Sequence, residues 1–362
     1  GAGAMVYPGF GLKDHARFAI QSLSGDVTER VAYAHTGWRQ LDGPEGPAWA
    51  FLHAGGAIGA RGAVSGVDLR LPGALARFDL PAPPTGDELR AAVRASLAVL
   101  GAAPEAVTVP LLAATYRAVL GRCDFGLWIV GPTGAGKSEL AALGQQHFGA
   151  DMTSRALPAS WSSTANATEG LAFQAKDAPL VIDDFAPNGG PNDMARLQGM
   201  ADRLFRNLGN GAGRQRMTAS AELRPEKPPR ALLIATGEDV PRGQSVRARS
   251  LIVEVAPDAV DFERLTARQR DGGAGLYAAA MSGYLTWVAA RHGDLQAGLV
   301  ARERELRALA TASTSHRRTP DIAAKLGGGW EQFLAFAAEI GAIEESERAD
   351  LWTRGWAALG AA

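Results

Sequence analysis

Four apolar runs interrupt an otherwise helical periodicity: Leu127–Val130, Ala178–Phe185, Arg230–Glu238 and Leu251–Val255. Apolar residues follow one another in these runs without alternation, so each reads as a strand buried on both faces, as in a parallel sheet. Helical stripes surround them. Leu89, Val93, Leu97 and Leu100 recur at helical spacing behind the linker Pro81–Gly86. A second helix is expected from about Pro110 to Leu120, with proline in its first turn. Residues 165–175 are expected to be helical, and Leu197, Met200, Leu204 and Leu208 place a helix over 194–208 that stops at Gly209-Asn210-Gly211. From Asp258 onward the pattern predicts helices at 261–270, 275–291, 294–311, 319–326, 330–341 and 345–359, with breaks at Gly272-Gly273, Gly293 and Gly327-Gly328-Gly329. Residues 6–80 instead read as short strands and turns, with Val31–His35 and Trp49–His53 flanking the turn cluster Asp42–Pro47. The expected division is a small β-rich N-terminal domain (6–80), an α/β core with a helical lead-in (87–256) and a C-terminal helical lid or bundle (257–362).

Chemistry enters where the first buried strand stops. Gly131-Pro132-Thr133-Gly134-Ala135-Gly136-Lys137-Ser138 fits G-x-x-x-x-G-K-[ST], with a strand before it and a helix-forming stretch from Glu139 after it. Glycines let backbone N–H groups approach an anion, and the helix N-terminus adds partial positive charge. Lys137 would span the β- and γ-phosphates of a nucleoside triphosphate such as ATP, and Ser138 would give its hydroxyl oxygen to Mg²⁺. The strand Ala178–Phe185 ends in Asp183-Asp184, where acids at the carboxyl edge of a parallel sheet would hold Mg²⁺. The next strand carries Thr236 at its carboxyl end, and a parallel neighbour of the acid-ending strand would aim that hydroxyl at the γ-phosphate.

Charge adds a local feature. The 362 residues carry a net charge of −1, so no global positive field points to nucleic acid. Over residues 202–230, however, seven Lys/Arg face three acids, a local +4. Arg214, Arg216, Arg224 and Lys227 lie in a stretch suited to an exposed hairpin, read either as a solvated charge run or as a contact for nucleic acid. Arg247 and Arg249 precede the last core strand, as plain surface charge or as a finger reaching a neighbouring subunit's nucleotide. Arg317 and Arg318 offer the same choice between surface and nucleotide sensing. His35 and His53 sit in strands and read as structural. The single cysteine, Cys123, excludes an intrachain disulfide. Gly1–Met5 reads as a non-native tail, and the chain can extend further upstream. No signal-like segment and no apolar run of transmembrane length is visible, so the expectation is a cytoplasmic protein with no membrane partner.

In this order (glycine loop, acid-ending strand, basic hairpin, Thr236 strand, arginine pair, helical tail) the chain resembles the AAA+ ATPase core. Within it, the chain resembles the clade with a hairpin before the sensor-1 strand and, more narrowly, MCM-like helicases of mobile genetic elements that are often linked to a primase-polymerase. The stretches that carry the resemblance are Leu157–Asn166, Leu180–Phe185, Gly209–Arg216, Ala235–Glu238 and His35–Trp38. It implies ATP and Mg²⁺ as ligands, with residues 131–139 on the nucleotide and Ser138 and Asp183 on the metal. It also implies Asp184 in the place usually held by a water-polarising glutamate, one methylene short of it. Thr236 would be sensor 1, and Arg249 or Arg247 the arginine finger. A finger acting in trans implies a ring, a hexamer, on single-stranded or forked DNA. The functional expectation is an ATP-driven DNA translocase or helicase. The alternatives are a nucleotide-gated assembly or loader that does not unwind, and a small-molecule kinase, against which the arginine pair and the long helical tail argue.

Overall fold

The computed structural model describes residues 9–25, 31–43, 46–186, 190–215, 217, 222–311 and 319–362. Gly1–Ala32 and Tyr33–Ala362 form two compact units. The first holds helix α1 (Leu12–Leu23), which buries none of its residues and leaves Phe18, Ile20 and Leu23 exposed. The expectation of strands and turns alone over 6–80 missed this helix.

The elements then run β1 (Ala32–Tyr33), β2 (Gly37–Gly43), β3 (Gly46–His53), β4 (Gly56–Gly59), β5 (Gly62–Val64) and β6 (Asp68–Leu69). Helices α2 (Gly86–Leu97) and α3 (Glu105–Arg117) lead into β7 (Gly126–Val130), α4 (Lys137–Gln145), β8 (Ala159–Ser160), α5 (Ala165–Gln174), β9 (Pro179–Phe185) and α6 (Pro191–Asn210). Next come β10 (Leu232–Gly237), the short α7 (Gln244–Arg247) and β11 (Ser250–Glu254). Five helices end the chain: α8 (Phe262–Gly273), α9 (Leu276–Ala289), α10 (His292–Thr311), α11 (Thr319–Glu339) and α12 (Glu345–Ala361).

The central sheet has the order β11-β7-β10-β9-β8 and every pairing in it is parallel. All five residues of β7 and all six of β10 are buried, as their unbroken apolar runs require. Beneath the sheet Trp128 stacks on Trp161 with ring centroids 5.5 Å apart, and Phe185 meets both rings edge-on. Trp161 N–H also donates to the Asp183 carbonyl (2.9 Å), so the Leu157–Asn166 stretch anchors the acid-ending strand.

The N-terminal strands β2 to β5 form an antiparallel meander. It is fixed to the core through Thr36-Gly37-Trp38. Thr36 Oγ1 donates to Lys176 O (2.9 Å), Trp38 N–H to the Asp177 carboxylate (3.0 Å) and Trp38 Nε1 to Val119 O (2.6 Å). Gly37 has φ +95°, and a Cβ there would fall 2.4 Å from Lys176 O, so only glycine fits this junction. His53 is buried and accepts from Leu80 N–H (3.1 Å), a structural use of its ring.

Two helical expectations need correction. Helix α3 starts at Glu105, so Pro110 lies inside it and not in its first turn. The helix is buried along nearly its whole length, and packing holds it despite the missing N–H. Helix α11 runs unbroken through Gly327-Gly328-Gly329, and Gly293 lies within α10. Added Cβ atoms on the three glycines would meet Trp356 of α12 at 2.7 Å, Leu299 of α10 at 3.0 Å and Arg117 of α3 at 2.5 Å. The run of glycines lets three helices close on α11 rather than ending it.

Candidate nucleotide site

The carboxyl ends of β7, β9 and β10 meet at one edge of the sheet, and the loop after β7 wraps that edge. Gly134 and Gly136 take φ of +82° and +80°, the left-handed values that allow this turn. Gly136 then caps α4, whose first residue is Lys137. Lys137 Nζ donates to Pro132 O (2.7 Å), folded back on the loop itself. Burial lowers its pKa, opposed by the charges of Glu238, Asp183 and Asp184 in that order.

Ser138, Asp183 and Thr236 converge. Ser138 Oγ donates to Asp183 Oδ1 (2.7 Å), and the buried Thr236 hydroxyl donates to the same oxygen. The register explains how. Ala235 pairs with Ile182 but Gly237 pairs with Phe185, so Thr236 alone faces both Asp183 and Asp184 across a bulge. Asp184 is the bulged residue, with φ +66°, and its N–H is satisfied by Thr236 Oγ1 (3.2 Å). Its side chain is exposed. A non-glycine residue in this backbone region costs roughly 1–2 kcal/mol, the kind of local strain that gathers at functional sites.

Glu139 is placed differently from its loop neighbours. Its carboxylate accepts from Ser154 Oγ (2.7 Å) and from Gln269 Nε2 of α8 (2.5 Å), so it ties α4 to the C-terminal helices. The start of α8 also borders the loop, because a Cβ on Gly136 would touch Val260 and Phe262 at 3.5 and 3.6 Å.

The sequence reading passed over the role of Glu238. It follows β10 directly and accepts from the Thr133 hydroxyl of the loop. Its place two residues beyond Thr236, at the end of a strand aimed at the loop, was the available signal.

The donor set fits the expected ligands. Helix-terminal N–H groups and Lys137 suit phosphate, and two hard oxygens from Ser138 and Asp183 suit Mg²⁺, which takes few protein ligands and completes its shell with phosphate and water. Among the described residues no cluster of three or more His, Cys, Asp or Glu side chains competes for a metal.

The arginine pair lies elsewhere. Arg249 O accepts from Gly126 N–H (3.0 Å) at the amino end of β7, five residues or about 16 Å from the glycine loop. Its guanidinium donates to Ser245 O (3.0 Å), Ser245 Oγ (2.7 Å) and Asn210 Oδ1 (3.0 Å). Arg247 is exposed. Neither faces this chain's own loop.

The basic segment forms a third locus. Met217 and Leu223 make an isolated antiparallel bridge, and both are exposed. Arg214, Arg224 and Lys227 line one cavity with Asn166, Glu169 and Gly170 of α5. Arg216, Arg317 and Arg318 lie outside the described residues.

This architecture is a mixed α/β fold of helicase-like type. The chain is similar to the SCCmec type IV Cch protein, described as an active helicase: 14% identity, a TM-score of 0.55, 96% of this chain and 63% of that one. It therefore spans under two thirds of that protein's length, and at this identity the likeness speaks for the fold. A JCV helicase structure aligns at 15% identity over 67% of this chain and 65% of its own, with a TM-score of only 0.33. A domain of unknown function, DUF927, matches residues 88–228, from α2 through the glycine loop to the basic segment. No curated protein matches the sequence. Among the described residues no helix is long and apolar enough to cross a membrane.

Proposed function

We propose that this chain is an ATP-dependent DNA translocase or helicase with an AAA+ core, working as a hexameric ring in the replication of a mobile element or similar DNA. The observation that carries the reading is the convergence of Ser138 and Thr236 on one oxygen of Asp183 beside the glycine loop. It assembles residues from three separate segments at the edge where a triphosphate and its metal would lie. The β10 strand lies between β7 and β9, which suits Thr236 to a sensor of the terminal phosphate.

In this reading the loop residues 131–138 hold ATP, with Lys137 leaving Pro132 O for the phosphates. Ser138 and Asp183 hold Mg²⁺, which neutralises charge on the phosphates when bound. Asp184 stands where the resemblance puts the water-polarising carboxylate. Arg247 and Arg249, at the far end of the sheet, reach the nucleotide of an adjacent subunit, Arg247 as the exposed finger and Arg249 as its tethered neighbour. Each site then needs two copies, hence the ring. The cavity lined by Arg214, Arg224 and Lys227 grips the phosphate backbone of single-stranded or forked DNA by charge. Helices α8 to α12 serve this motor as a lid, and a primase-polymerase is a fitting partner.

The test is steady-state ATP hydrolysis with and without single-stranded DNA, with Lys137→Ala as the blank and Arg214→Glu/Lys227→Glu as the hairpin variant. Strong stimulation by DNA, lost in the hairpin variant, is expected and leads on to unwinding of forked duplex. Turnover indifferent to DNA and to the hairpin variant favours the nucleotide-gated assembly instead.

A further inference from the structure

We propose that Glu238, and not Asp184, takes the proton of the attacking water, and that its contact with Thr133 keeps it from doing so until the terminal phosphate enters. This inference rests on the ATPase reading above. It starts from the clamped position of Glu238. Gly237 O accepts from Gly131 N–H (3.2 Å), and Glu238 N–H donates to Phe185 O (3.1 Å). The backbone that carries Glu238 is thus bonded on one side to the first residue of the glycine loop and on the other to the end of the acid-ending strand. Its side chain rises from there to the loop's third residue, where the Thr133 hydroxyl donates to its carboxylate.

Glu238 differs from the other nearby acids in its setting. Asp184 is displaced by the bulge into a left-handed backbone and carries the shorter side chain. Glu139 is engaged by Ser154 and Gln269. Glu238 is also the carboxylate that acts most strongly on Lys137, ahead of Asp183 and Asp184. Glutamate also has the extra methylene that aspartate lacks at position 184.

The chemistry balances without a further reagent. The water oxygen forms a bond to the terminal phosphorus, and the bond from that phosphorus to its bridging oxygen breaks. ADP leaves with that electron pair. The water proton passes to the Glu238 carboxylate and from there to the released phosphate, restoring the glutamate for the next turnover. Before ATP arrives, the same carboxylate accepts from Thr133 while Lys137 donates to Pro132 O, so both groups are held by the loop itself. Entry of a terminal phosphate draws Lys137 away and repels Glu238 from the loop toward the water.

The test uses the full chain and reads equilibrium binding as well as turnover. Affinities for a fluorescent ATP analogue and its ADP counterpart are measured with Mg²⁺ for wild type, Glu238→Gln, Thr133→Val and Asp184→Asn. Removing the carboxylate charge beside the terminal phosphate should raise affinity for the triphosphate about fivefold relative to the diphosphate. Thr133→Val should move the same ratio in the same direction, because it releases the carboxylate. Turnover should fall by at least ~100-fold in Glu238→Gln, with Asp184→Asn losing far less. The proposal is overturned if Asp184→Asn loses more turnover than Glu238→Gln, or if Glu238→Gln leaves the triphosphate-to-diphosphate ratio where it was. A wild-type chain that neither binds nor hydrolyses ATP overturns the ATPase reading itself, and this proposal with it, and is recognised by Lys137→Ala behaving as wild type.

Discussion

Gly134 and Gly136 stand in the loop after β7 with φ near +80°, and a Cβ on Gly134 would meet nothing within 4 Å. Gly327, Gly328 and Gly329 stand in the middle of α11 with helical backbone, and Cβ atoms there would meet neighbours at 2.7, 3.0 and 2.5 Å. The first pair needs glycine for its backbone, with open space at Gly134 and ordinary contact at Gly136; the other cluster needs it for the missing side chain and has no room. A string of glycines therefore carries two opposite meanings, and only the surroundings tell them apart. Where Lys-Ser and a helix follow a buried strand, the sequence context is enough. Where Trp356, Leu299 and Arg117 crowd in from distant segments, it is not.

The largest expected effect tests the loop side of this comparison. Lys137→Ala should lower ATP hydrolysis by at least ~100-fold while leaving the circular-dichroism spectrum and unfolding midpoint near wild type, because among the described residues the Lys137 ammonium hydrogen-bonds to the loop itself. Loss of fold in this variant would mean that the loop is structural.

The far end of α4 sharpens how the loop is joined to the helices around it. His147 is fully buried, with Nδ1 on Leu143 O (2.8 Å), Nε2 on Ser96 Oγ (2.8 Å) and its ring stacked on Tyr277 of α9 at 4.8 Å. Burial lowers its pKa from 6.5 to about 4, so the folded protein keeps it neutral where the unfolded chain would protonate it. Its contribution is fully present above the unfolded pKa and is lost as pH falls through the folded one. Urea unfolding should show roughly 3 kcal/mol of stability lost between pH 6.5 and 4 from this group alone. His147→Gln should flatten that part of the pH profile, and an unchanged slope would show that other groups carry it.

Gly329→Ala comes next. Its Cβ would press on Arg117, which is itself buried and paired with Glu303 of α10 (3.0 Å), so neither side can yield. About 2 kcal/mol should be lost in urea unfolding, with ATP binding per folded molecule retained. Gly134→Ala is the smallest and the mirror image. Open space surrounds it, so only the left-handed backbone is penalised, by ~1 kcal/mol, and nucleotide affinity should suffer more than stability. Equal stability losses in the two variants would erase the distinction between the clusters.

Much of the central sheet was legible beforehand. Strands β7, β9, β10 and β11 are visible as unbroken apolar runs, because a strand covered on both faces leaves no polar position to confuse the pattern, whereas the two-residue edge strand β8 carries no such run. Ser138, Asp183 and Thr236 could be singled out because each sits where such a run stops. The long C-terminal helices were legible as helices but not in their boundaries, since glycine propensity ended on paper what packing continues in the fold. Helix α1 was missed although its apolar and polar residues segregate to opposite faces of the helix.

What the sequence by itself determined is local: which segments must be buried strands, where a glycine-rich turn precedes Lys137 and Ser138, and where charge collects between Arg203 and Arg230. Those properties depend on residues within a few positions of one another. Tertiary structure alone decided the rest. It inserted β10 between β7 and β9, so that Thr236 and Ser138 share Asp183. It bulged β9 at Asp184, carried Arg249 to the opposite end of the sheet and brought Glu238 to Thr133. Each of these follows from strand order and register, which are set by how buried faces pack across the whole chain and which no short window of sequence contains.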